Sequence, residues 1–384
     1  MRIGSTPFAM LLALAACAGG SGGGRDDDDA GDDVADDTLG STNVTNDTID
    51  PTNFSTTGVD DTSTATASEA TDTGGDGPTV VEVTPDADAT GIDPDTTIVV
   101  TFSAAMAPAS VTVDDSSACE GAVQVSDDGF TTCVAMAGDA IASAGDTTFT
   151  LTPAAPLASA TEYAVRVLAD ATSAEGVPAQ PFESAGGFTI RYFHTIEIDG
   201  IDDWSAGETF PTSTAGHIAF TAWDDQYVYL AMSSPDVAGG NGAIWVVAYF
   251  GGAGGTASGQ IYNTQQPELL FDARWHLRWR ADNTYTDVQE WDGDAWITAP
   301  WQLGEGDVYQ TGELVEFRVA RSDIGDSDTL VLHMGILREA ELQEASWAAH
   351  PQGSYVDGYD PDYAEYWELD LLGSAQPVEQ PPSP

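Results

Sequence analysis

Between residues 78 and 372 the apolar side chains recur at every second position in short runs closed by Gly, Pro or Asp. That spacing restricts the chain to β-structure. Ile98, Val100 and Phe102 fall on one side of an extended segment, as do Phe149 with Leu151, and Tyr163, Val165 with Val167, because successive strand side chains point to opposite faces. Further on, HIAFTAW turns at Asp224-Asp225 into YVYLAM, followed by AIWVVAYF, RWHLRWR, TDVQEW, AWI, LVEFRVA and TLVLHMGILR. Many short strands with frequent turn signals predict an all-β chain built as two sandwiches, with minor helix content. All 10 Trp lie between Trp204 and Trp367 and none in the first set of strands, so a domain boundary falls near Phe193.

Composition limits what such sandwiches can meet. The chain carries 10 Arg, no Lys and 63 acidic residues for a formal net charge of -53. Nucleic acid is excluded as a partner, since no basic face exists to neutralise phosphates. An anionic membrane surface repels the folded part for the same reason, so attachment has to be covalent or through an inserted segment. Residues 1–16 supply one: an Arg, an apolar run from Phe8 to Ala16 and small residues before Cys17 make a secretory signal too short to span a bilayer. The tetrad Leu14-Ala15-Ala16-Cys17 resembles the bacterial lipobox, which implies lipidation of Cys17 and a membrane partnership through a lipid anchor. By the same resemblance, Ala18 after the cysteine implies the outer membrane or cell surface.

Residues 17–77 hold 15 acidic side chains against Arg25, and their large apolar residues are spaced every five, matching neither period. The segment is expected to be a disordered acidic Gly/Ser/Thr/Asp tether. Asp26 to Asp29 reads as a solvated spacer or as a collector of divalent cations. Residues 373–384 are expected to form a disordered Pro-rich tail.

The phrases PTVVEVTPDADATGIDPDTTIVVTFSAAMAPASV, TTFTLTPAAPLASATEYAVRVLAD and GGFTI resemble the bacterial Ig-like domain of S-layer and surface proteins. The match runs over 78–192, on the Pro85 turn, Phe102-Ser103, Met106, Leu157 and Tyr163, and implies an Ig-like β-sandwich acting as a spacer. Cys119 and Cys133 are the two cysteines left once Cys17 is lipidated, and in an oxidising compartment they are expected to pair. A three-residue DDG turn at 127–129 would set Val123 opposite Cys133.

For 193–372, IEIDGIDDW, FTAWDDQYVYLAM, VEFRVARSDIG and the closing Leu369-Asp370 resemble family-9 carbohydrate-binding modules and the related DOMON sandwiches. This implies a jelly-roll-like β-sandwich with a carbohydrate partner, although the family's stacking aromatics sit in variable loops and transfer to no position here. Sugar binding needs flat aromatic faces beside planar polar groups. In RWHLRWR, period two puts Trp275, Leu277 and Trp279 on one face and His276, Arg278 and Arg280 on the other, and one of the two is core. If it is the Trp face, Arg278 belongs to a basic strip whose default use is salt bridging. Trp291 and Trp296 flank the Asp292-Gly293 turn with Trp301 close by, either as a stacking platform or as packing over the end of the sandwich.

Asp357, Asp360 and Asp362 in DGYDPDY are oxygen donors in a Gly/Pro loop, as calcium prefers, or else solvated turn residues. Met232 with His333 or Met334 could ligate haem, or could be plain core. The five histidines form no HExxH pair, and the sequence holds no P-loop and no GxSxG elbow between a strand and a helix, so no catalytic residue is assigned. Polysaccharide or other envelope proteins are the expected partners.

Overall fold

The computed structural model describes residues 77–377 and the backbone of 382–383. The expected signal 1–16, Cys17 and residues 17–76 of the tether lie outside the described residues.

The first sandwich contains β1 (Val80–Thr84), β2 (Ile98–Phe102), β3 (Val123–Ser126), β4 (Ile141–Ser143), β5 (Thr148–Leu151), β6 (Glu162–Val167), β7 (Phe182–Glu183) and β8 (Phe188–Thr189). One sheet runs β1-β2-β5-β4, and the other runs β3-β6-β7 with β8 also on β6. The alternating residues named from the sequence meet between them: Ile98, Val100, Phe102, Phe149, Leu151, Tyr163, Val165 and Val167 are all buried. Each such side chain contributes roughly 1.5–3 kcal/mol of hydrophobic stabilisation.

Cys119 and Cys133 are disulfide-bonded, with Cα atoms 5.1 Å apart. The register around them differs from the sequence expectation. Val123 pairs with Val167 of β6, and it is Val134 that reaches back, donating its N–H to Val125 O at 2.8 Å. The turn is longer than DDG because the Asp128 carboxylate accepts from the backbone N–H of Thr131 at 3.0 Å and of Thr132 at 2.9 Å, holding the chain in a wider loop.

The second sandwich opposes two larger sheets. One contains β9 (Thr209–Pro211), β10 (Ile218–Trp223), β11 (Tyr227–Ser233), β16 (Val308–Thr311) and β17 (Leu314–Ala320) in the order β16-β17-β11-β10-β9. The other contains β12 (Ile244–Ser258), β13 (Glu268–Arg280), β14 (Thr286–Trp291), β15 (Trp296–Thr298), β18 (Thr329–Arg338), β19 (Ala345–His350), β20 (Tyr366–Asp370) and β21 (Pro382–Ser383). It runs β15-β14-β13-β12-β18-β20-β21, with β19 on β18. A single helical turn, α1 (Pro235–Ala238), is the only α-helix among the described residues.

Trp223, Leu230, Met232, Phe250, Leu277, Trp279, Phe317 and Met334 fill the space between the sheets. Both sheets are also covered on their outer faces. Ile196 and Trp204 pack over Phe220 and Tyr229 on one, and Tyr355 and Tyr363 pack over Tyr249 on the other. This explains why WVVAYF does not alternate: its side chains are buried in both directions, as a doubly covered strand requires.

The two sandwiches share a joint. Arg191, only 6% exposed, leaves the first sandwich between Asp93, at 3.5 Å, and Asp225 of the β10–β11 turn, with which it also pairs. Beside it, the buried Glu208 accepts from Tyr192 Oη at 2.5 Å and from the Ser205 N–H at 2.7 Å, and lies 2.9 Å from His194 Nδ1. Burial works to raise the Glu208 carboxyl, and the hydrogen bonds from His194, Tyr192 and Ser205 outweigh it and hold it below the usual range.

The expected Pro-rich tail departs from disorder where it begins. Gly373 O accepts from the Tyr192 N–H at 2.8 Å, Ser374 Oγ accepts from the Gly91 N–H at 2.7 Å, and Pro382–Ser383 adds to β20. Backbone pairing supplied by the first sandwich and by a sheet edge fixes residues whose composition alone has no fold.

Candidate functional site

The β14–β15 hairpin places Trp291 directly opposite Trp296. Their rings meet edge to face, with centroids 5.8 Å apart. Trp296 belongs to the covering layer: its indole N–H donates to Ser258 O at 3.0 Å, and its ring contacts Tyr249 and His276. Trp301 does not join them, since it packs against the core between the sheets. The three rings therefore make no common platform. Arg278 is also spoken for, pairing with Asp287 at 2.7 Å, so the salt-bridge reading of that strip holds for it. The strip is not uniformly a surface. His276 is fully buried, stacked on Tyr249 with centroids 4.1 Å apart and 2.8 Å from the Tyr262 hydroxyl.

The three aspartates proposed as calcium donors do not converge. Asp357 accepts from the Ser213 and Thr214 hydroxyls, both at 2.6 Å. Asp360 accepts from the Gln266 N–H at 2.6 Å, and Asp362 from the Glu268 N–H at 3.3 Å. Each carboxylate pins the 351–365 loop to a different neighbour, and no group of three or more His, Cys, Asp or Glu able to hold a metal is present among the described residues. The haem reading fails on direction. Met232 and Met334 point between the sheets, whereas His333 stacks on Tyr363 of the outer layer, centroids 3.8 Å apart.

Two motifs quoted from the sequence do meet. Glu316 of VEFRVARSDIG, fully buried, accepts from the Gly200 N–H at 2.8 Å and from the Trp204 indole N–H at 3.2 Å, both in IDGIDDW. This is a fastening of the outer segment onto β17. Burial raises the Glu316 carboxyl above its usual range despite those two donors.

Two concavities border the second sandwich. One, about 410 Å³, lies at the joint beside Phe193, Tyr227 and Arg318. Its polar groups are largely used internally. Asp224 accepts from the hydroxyls of Thr195 and Tyr229 and the backbone N–H groups of Gln226 and Tyr227, while Arg318 pairs with Asp307 at 2.7 Å and lies over the Tyr227 ring. These contacts make a joint, with little left over for a ligand.

The other, about 440 Å³, opens at the end of the sandwich beside Trp275. Trp279 and Leu277 on the same face of β13 are wholly buried, whereas Trp275 is half-buried, packed against the core on one side. The neighbouring strand cannot cover it, because β12 continues there as Gly251-Gly252-Ala253-Gly254-Gly255 and loses its register with β13. A Cβ on Gly252 would stand 2.5 Å from the Trp275 ring and one on Gly325 3.4 Å from it, so glycine is what leaves room for the indole. Sequence reading passed over this site. The available signal was the GGAGG run itself, since glycines inside a strand mark a bulge or a close approach.

Residues 74–190 match the family model described as a bacterial Ig-like domain, in agreement with the first sandwich. A comparison with curated proteins gives no match. Among solved structures, the N-terminal part of the bacterial S-layer protein SbsC is similar at 11% identity and a TM-score of 0.22, over 68% of this chain and 40% of that one. A putative membrane anchored protein from Corynebacterium diphtheriae is similar at 10% identity and a TM-score of 0.18, over 76% and 60%. The pullulanase SAP of Group B Streptococcus is similar at 7% and 0.15, over 69% and 23%. This chain thus spans less than half the length of the S-layer structure with which it was compared.

Proposed function

We propose that this chain is a non-catalytic cell-envelope lipoprotein, anchored through Cys17, whose Ig-like sandwich serves as a spacer for a second sandwich that binds carbohydrate. The observation that carries the spacer role is the joint. Arg191 between Asp93 and Asp225, together with the Tyr192–Gly373 and Gly91–Ser374 hydrogen bonds, ties the sandwiches at several points, as a stalk that presents its end needs. The carbohydrate reading draws on the half-buried Trp275 in an open cleft, since flat indole faces suit the apolar faces of sugar rings. A purely structural or protein-binding envelope role is the second reading. It is favoured by the mutual packing of Trp291 with Trp296 and the ion pairing of Arg278.

Sedimentation of the full chain with insoluble envelope polysaccharide separates the two. Retention competed by soluble oligosaccharide supports carbohydrate binding, and a chain left wholly in the supernatant supports the structural reading. Metabolic labelling with fatty acid tests the anchor: the wild type takes up label and Cys17→Ser does not.

A further inference from the structure

We propose that the cleft beside Trp275 is the sugar subsite of the second sandwich, and that it takes an uncharged glycan; this rests on the carbohydrate reading above. The cleft lies between Trp275 of β13, the glycine segment 251–253 of β12 and the segment from Ile324, which closes the turn after β17, to Val331 of β18. Trp275 forms its aromatic wall. Around it stand Gly251, Gly252 and Gly325, whose missing side chains keep the ring accessible, and Ser327 and Thr329, exposed residues whose hydroxyls can exchange hydrogen bonds with a ligand. The volume is within the ordinary range for small-molecule sites, and an apolar wall with a few polar groups is their usual composition.

Charge selects among glycans. No charged side chain lines the cleft, and the nearest cations are engaged, Arg274 with Glu290 and Arg321 with Asp326 at 3.8 Å. Asp328 stands exposed on the segment that carries Ser327, with no ion-pair partner among the described residues. An anionic sugar would meet this carboxylate with no free cation to balance it, on a chain of net charge -53. A neutral sugar meets no such penalty.

The test uses the full chain in affinity electrophoresis and titration calorimetry against xylan, β-glucan, chito-oligosaccharides and polygalacturonate. At least one neutral glycan should bind, and polygalacturonate should not. Trp275→Ala should weaken binding at least tenfold. Because Trp275 also touches the core, Ser327→Trp is the second variant: it fills the cleft from an exposed position and should abolish binding while leaving the melting temperature unchanged. Trp291→Ala should bind as the wild type does. Undiminished binding by both cleft variants, or loss only in Trp291→Ala, overturns the site and leaves the carbohydrate reading standing. Preference for polygalacturonate overturns the charge argument. A wild-type chain that binds none of the four overturns the carbohydrate reading and this proposal with it.

Discussion

The indole N–H of Trp367 donates to Nδ1 of His350 at 3.3 Å. That bond leaves the His350 proton on Nε2, 3.2 Å from the Thr221 hydroxyl, so the buried ring is neutral. At His276, Nδ1 donates to Ala248 O at 3.2 Å and Nε2 lies 2.8 Å from the Tyr262 hydroxyl. His333 keeps one bond, 2.9 Å from Ser354 Oγ. Burial pushes all three below the usual 6.5, to about 3 for His276, where the Arg278 charge adds to it, and to about 3 for His350.

A pH dependence follows from these rings. Below about 6.5 the unfolded chain takes up protons that the folded histidines refuse, so their contribution is full above that pH and is lost as the pH falls towards 3. At pH 5 the loss is about 2 kcal/mol for each of His276 and His350. Glu316 works the other way, because its raised pKa makes protonation easier in the fold, but one carboxyl does not offset three rings. Urea midpoints should drop between pH 7.5 and 5, and His350→Gln should flatten the slope; a level profile would sink the account.

Removing the disulfide tests the first sandwich alone. The bridge closes a loop with a sequence separation of 14, which in the chain-entropy description corresponds to about 3 kcal/mol. Cys119→Ser with Cys133→Ser should therefore lower the stability of that sandwich by roughly this amount. Near-UV signals from the Trp residues, all of them in the second sandwich, should report a smaller change. Two alkylatable thiols in the untreated native chain would show that the bridge does not form.

How much of this could be read from the sequence depends on the range of the information involved. Ile98, Val100 and Phe102 declare their strand through neighbours two residues away, and Cys119 and Cys133 declare their pairing as the only cysteines between residues 78 and 372. Alternation left open which face of RWHLRWR is core, because it describes only one covered face, and the rings that cover His276 on the other, Tyr249, Tyr262 and Trp296, come from other segments. Asp357 shows the same limit. Its DGYDPDY spacing resembles a cation loop, but its hydroxyl partners lie 144 and 143 residues away. Trp275 was legible only together with the glycines of the next strand.

The joint gives a prediction about coupling. Arg191 is buried, yet its partners Asp93 and Asp225 are 63% and 60% exposed, so Arg191→Ala leaves no stranded buried charge, and exposed carboxylates contribute little each. The expected loss is about 1 to 2 kcal/mol, and it should appear as coupling. Calorimetry of the wild type should show the two sandwiches melting together, and the variant should resolve two transitions. An unaltered single transition would mean that the hydrogen bonds of Tyr192 and Gly91 hold the joint without the guanidinium.

The two hairpin tryptophans should differ although they face each other. Trp296 has a hydrogen bond to Ser258 and ring contacts with Tyr249, His276 and Trp291, whereas among the described residues the only aromatic ring meeting Trp291 is that of Trp296. Truncating a well-packed Trp costs about 3 to 5 kcal/mol, and a half-buried one correspondingly less. Trp296→Ala is expected to cost about 2 to 3 kcal/mol and Trp291→Ala about 1 or less, measured by urea denaturation at pH 7.5. If the order were reversed, the outer layer would owe its cohesion to the hairpin tip instead of to the Tyr249–His276 stack. In that case Trp296→Ala would also leave the acid sensitivity of His276 untouched, whereas the packing described here requires the variant to admit water to the ring and raise its pKa towards 6.5.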